Sequence, residues 1–182
     1  MLAPSTIRPA ETLYLARVVL LGFDAGEAGG LLAAMTALAG DHANVSTFQA
    51  GLCLTAAFAG ELGLAKRLLS DQADSGFGNV SADVEGLAVV AFYAHAAAII
   101  EDRSSAPVLL SLLETVKPKA VRVGALTGWW GPVDFHIGAL YRLLGRFDEA
   151  KRRLESSLAI ASQMRSTPFI TRSKVELAAL PH

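Results

Sequence analysis

Cysteine is almost missing from this chain. Cys53 stands alone among 182 residues, so no disulfide scaffold holds the fold. Charge is also scarce: 18% of residues are charged, against 52% hydrophobic, which excludes a disordered chain. There is no G-x-x-x-x-G-K-[ST] and no Gly-Lys pair, so a P-loop is excluded. No H-E-x-x-H and no G-x-S-x-G occurs either. Long apolar runs are lacking. The longest stretch without Asp, Glu, Lys or Arg runs from His42 to Gly60, 19 residues, and His42, Asn44, Ser46, Thr47 and Gln49 spoil it as a bilayer span. Arg8, Glu11 and Arg17 interrupt the N-terminal apolar positions, unlike a signal peptide. The chain therefore reads as soluble and cytoplasmic, with no membrane association. The net charge of -1 gives no general case for nucleic-acid binding.

Helical periodicity is what the sequence does have. Apolar residues recur mostly at spacings of 3 and 4, which predicts an all-α fold. The expected helices are 9–21, 25–39, 44–59, 61–73, 82–100, 105–117, 132–144, 147–164 and 168–180. They pair as hairpins over 9–39, 44–73, 82–117 and 132–164, with a final helix at 168–180, in one domain covering 1–182. Pro132 and Pro168 fit first-turn positions, and Thr167 fits an N-cap. Gly145 fits a left-handed C-terminus. Only Val121–Val123 reads as a short extended piece.

A repeat organises these helices. Four segments show a turn followed by Ala-x-x-x-Leu: Ala28 with Leu32, Ala65 with Leu69, Ala106 with Leu110, and Ala150 with Leu154. A small residue is expected where the second helix of a hairpin crosses the first. The last unit adds Ile137-Gly138, Tyr141, Gly145 and Ser157, and so resembles a tetratricopeptide repeat. Asp134 stands where that pattern has an aromatic, and Ser162 where it has the closing Pro. The resemblance implies an α-α superhelix of about four hairpins plus a final helix.

The stretch from Asp83 to Leu180 resembles something narrower. Trp130-Gly131-Pro132-Val133, then Leu144 to Ala150, then Thr167-Pro168-Phe169 follow the order seen in the C-terminal repeat region of bacterial signal-transduction ATPases and of LuxR-type or adenylate-cyclase-associated regulators. That resemblance implies an effector- or partner-sensing arm of a signalling or transcription-regulatory system. The family's nucleotide-binding motif is absent from this chain.

Catalytic and metal chemistry find no support in the residues. His42, His95, His136 and His182 form no paired set, and Asp134 and His136, two apart, point to different faces. His95 reads as an interior or seam residue. Cys53, between Leu52 and Leu54, reads as a small buried hydrophobe. The run Gly22, Gly26, Gly29, Gly30 reads as a loose turn. No cofactor, no metal and no enzymatic activity are expected.

Binding is the better-supported class. Trp129 and Trp130 are the only tryptophans. They either pack against the hairpin that begins at Pro132, or form an aromatic lip on a concave groove with Phe135, His136, Tyr141 and Arg142. A protein partner or peptide segment is the first expectation. A small-molecule pocket between hairpins is the alternative. Charge adds a further option. Residues 1–116 carry 5 basic and 12 acidic residues, and residues 117–182 carry 11 basic and 5 acidic. Two copies could attract one another, acidic end to basic end, as a homodimer. Asp148–Arg152 and Glu149–Arg153 are spaced as helical ion pairs that would neutralise part of the basic half.

Overall fold

The computed structural model describes residues 21–23, 26–78, 80, 83–116, 119–123 and 128–181. The expected helix at 9–21 lies almost wholly outside them. Eight helices follow among the described residues: α1 (Ala28–Asp41), α2 (Ser46–Phe58), α3 (Leu62–Asp74), α4 (Val84–Ile99), α5 (Ala106–Glu114), α6 (Val133–Leu143), α7 (Phe147–Gln163) and α8 (Thr167–Ala178). The fold is all-α, as the periodicity predicts, with one two-stranded sheet among the described residues. No described helix is long and apolar enough to cross a membrane.

Successive helices pack on one another, α1 on α2, α2 on α3, α4 on α5 and α6 on α7, with α8 closing on α7. Across the pairs, α2 packs on α4 and α4 on α6. This makes α4 the central helix, and its sequence says why. From Leu87 to Ala98 every residue is buried, so a helix apolar on all sides has neighbours on all sides. Asp83 starts it, accepting the Gly86 N–H at 2.9 Å.

The turns before the second helices use the left-handed region. Gly60 (φ 79°) precedes α3 and Gly145 (φ 76°) precedes α7, where glycine carries no Cβ penalty. Glu101 occupies the same region (φ 56°) after α4, at a cost glycine would avoid.

The repeat is less regular than its spacing suggests. Ala65 and Ala150 are each the fourth residue of α3 and α7, and both are fully buried. Ala106 is instead the first residue of α5, also fully buried, and Ala28 is the first residue of α1. The four alanines therefore occupy two helical registers. Gly138 does what the pattern asks of it. A Cβ there would lie 2.7 Å from Leu154 Cγ and 3.2 Å from the Leu154 backbone nitrogen, so α6 and α7 approach at that point.

Three further expectations are corrected. Gly29 and Gly30 lie inside α1 and not in a loose turn. Thr167 is the first residue of α8, and Ser166 takes the cap position. The Gly128–Pro132 loop is a strand: β1 (Ala120–Val123) and β2 (Gly128–Pro132) pair antiparallel, with Arg122 opposite Trp129 and an irregularity between Ala120 and Arg122. Gly and Pro in the β2 segment argue against a strand locally, and only pairing with β1 creates one. β1 lies against α4 and carries β2 into the core.

Candidate functional site

Of the six expected partner-binding residues, four are interior. Trp130 and Phe135 are 1% exposed, His136 is fully buried, and Tyr141 is buried too. Trp129 and Arg142 are half-buried. The fold does not make an open aromatic lip of them. Each of α2, α4, α6 and α8 contributes a ring to one aromatic cluster that includes Trp130.

Trp130 has Phe23 at 5.2 Å, Phe92 at 5.4 Å, His95 at 5.7 Å and Phe169 at 5.6 Å between centroids. Such tilted and edge-on packing suits the ring quadrupoles. The Arg172 guanidinium lies 5.1 Å from the Trp130 ring and 4.8 Å from Phe169, and its Nη2 donates to the Phe23 carbonyl at 3.1 Å. That contact joins residues 149 apart in sequence. It holds α8 against the segment preceding α1.

Two histidines belong to this interior. His95 and His136 stack edge-on at 5.7 Å. His136 Nε2 donates to the Trp130 carbonyl at 3.1 Å, since a carbonyl can only accept. His136 Nδ1, His95 Nδ1 and the indole nitrogens of Trp129 and Trp130 are buried without a hydrogen-bond partner among the described residues. Burial lowers both histidine pKa values, His136 to about 4 and His95 well below 6.5, with the nearby Arg172 cation adding to both shifts. Both rings are therefore neutral at pH 7. Cys53 is similarly inert: it is fully buried, its thiol donates to the Ala65 carbonyl at 3.4 Å, and burial pushes it up to about 12.

Tyr141 and Arg142 point elsewhere, toward the surface network of α5 to α8. The Tyr141 hydroxyl donates to Glu114, and Arg146 lies 4.5 Å over the Tyr141 ring. The bond to Glu114 raises the Tyr141 pKa. Arg142 pairs with Glu176, joining α6 to α8. Arg153 Nη1 donates to Asp134 at 2.8 Å, and its Nη2 lies 4.0 Å from Glu114. Ser156 donates to the second oxygen of Asp134 at 2.6 Å. So Asp134, the departure from the tetratricopeptide pattern, is a polar clamp between α6 and α7. The expected Glu149–Arg153 pair is replaced. Glu149 turns back to Arg146 at 2.7 Å, which frees Arg153 to cross to α6.

A pocket of about 210 Å³ opens beside this clamp. Leu113, Val116, Val133 and Ile137 give it an apolar lining, and Glu114, Lys119, Asp134 and Arg153 give it charge of both signs. It lies where the α4–α5 pair meets the α6–α7 pair. The sequence marks Asp134 as a departure from the repeat pattern and Arg153 as a helical partner of Glu149, and it singles out neither Glu114, Val116 nor Lys119. No local signal joins the five, because they come from four separate segments. Among the described residues no group of three His, Cys, Asp or Glu is placed to hold a metal ion.

No protein-family model matches the chain, and neither a curated protein nor a solved structure matches it.

Proposed function

We propose that this chain is a non-catalytic interaction module that takes a side chain of a partner protein or peptide into the α5–α6–α7 pocket. The observation that carries the reading is the pocket itself: four apolar residues and four charged residues of both signs line one opening between two helical pairs. Size favours a side chain over a free ligand. About 210 Å³ is below the roughly 300 Å³ where ordinary small-molecule sites begin. The mixed rim gives orientation and specificity more than affinity.

On this reading the helical pairs form a tetratricopeptide-like superhelix in the cytoplasm. The C-terminal resemblance supplies the context, bacterial signalling or transcription regulation. The concave aromatic face serves as the interior that holds the pairs together. The alternative is a small-molecule sensor, favoured by the pocket's position between hairpins.

Val116 is half-buried at the pocket and packs against the edge of the core, so the fold of its variant is checked beside its binding. Immunoprecipitation from the native cell, read by mass spectrometry, compares wild type with Val116→Arg. A stoichiometric partner retained by wild type and lost by the variant, at unchanged helicity, supports the reading. A partner held equally by both overturns the pocket as its site. Recovery of the chain without any partner overturns the interaction module, and thermal stabilisation by a metabolite library then tests the sensor.

A further inference from the structure

Among the described residues the ion pairs cluster in the C-terminal half. All four ion pairs of the described residues lie between Glu114 and Glu176. Between Val18 and Ala65 the sequence has no Lys or Arg at all. In that region α1 presents Ala33, Ala34 and Ala37 to solvent between the exposed acids Glu27 and Asp41. Nothing lies within 4 Å of where a Cβ would stand at Gly30 or Gly40, so another helix can come close.

The outer face of α8 is its counterpart. Thr171, Val175 and Ala178 recur at i, i+4 and i+7, and all are exposed. Val175 is 62% exposed, and Met164 in the preceding turn is 59% exposed. Two cations lie on or just before this helix: Arg165 and Lys174 are exposed and form no ion pair with described residues, while Glu176, the only acid of α8, is taken by Arg142.

We infer that the outer face of α8 docks on the outer face of α1 of a second copy of this chain, head to tail. Val175 stands exposed beside Lys174 on α8, and the α1 face is apolar and bracketed by acids. The two faces differ, so the contact is heterologous, and each copy keeps one face free for the next. Charge steers the encounter, and apolar burial under Val175 sets its lifetime.

The test uses the whole chain and two variants at exposed positions, Val175→Glu on α8 and Ala37→Arg on α1. Sedimentation velocity follows mass against concentration at low and high salt, with circular dichroism to check the fold. Wild type is expected to associate as concentration rises, and less so at high salt, where the Debye length shrinks from about 10 Å at 0.1 M to about 3 Å at 1 M. Each variant alone is expected to stay monomeric. An equimolar mixture of the two is expected to give a discrete dimer, because each supplies the face the other lacks. A wild type that stays monomeric at low salt overturns the proposal. So does association that either variant leaves intact, or a mixture that stays monomeric.

Discussion

The Cβ that Gly138 lacks would stand 2.7 Å from Cγ of Leu154. This closeness joins α6 to α7 at the most regular repeat unit of the chain. Leu154 is fully buried and cannot swing aside into solvent. Gly138→Ala is therefore expected to destabilise the fold by about 1–3 kcal/mol, the usual cost of overpacking, despite alanine's better helix propensity. Urea unfolding measures it. A variant as stable as wild type would mean that the helices separate at little cost.

Trp130 is a core residue packed against rings of α4, of α8 and of the segment before α1. Trp130→Ala is expected to cost about 3–5 kcal/mol of stability. The loss would appear as a lowered urea midpoint and as lost near-ultraviolet circular dichroism. Unchanged stability with weakened partner binding would instead restore Trp130 to a binding surface.

The buried histidines give the fold an acid sensitivity with a definite sign. The folded pKa of His136 is lowered to about 4 from the ordinary 6.5, so the unfolded chain binds more protons between those values. Its contribution to stability is complete above pH 6.5 and is lost as pH falls toward 4. A shift of that size corresponds to about 3 kcal/mol. His95 shifts in the same direction. Stability measured at pH 7 and at pH 4.5 is expected to fall less in His136→Gln than in wild type. Equal losses in both would remove His136 as the cause.

How much of this was legible before folding depended on how local each signal was. Apolar spacing of 3 and 4 predicted helices that match α1 to α8 within a few residues, because a helix repeats a short-range geometry. Gly145 as a left-handed turn and Gly138 as a close contact were legible for the same reason: one residue type meets one backbone need. The alanine register was not legible, because Ala-x-x-x-Leu fits a helix from its first residue or from its fourth equally well.

The site was mostly hidden. Trp129-Trp130 was visible as a feature, but the sequence could not say which way it faced. Strand β2 turns Trp130 inward, and pairing with β1 across the intervening segment creates that strand. The acid partner of Arg153 was misread because a helical spacing rule favours Glu149, while the packed pair α6–α7 brings Asp134 within 2.8 Å.

By itself, then, the sequence determined the class of fold and the positions of α1 to α8, since these follow from periodicity, turn chemistry and composition. It also determined the division of charge between the two halves. Tertiary structure alone decided which aromatic residues are core, which ions pair, and where a pocket opens. Those outcomes depend on contacts between residues far apart in the chain, as when Arg172 reaches back to Phe23, and no short-range pattern encodes them.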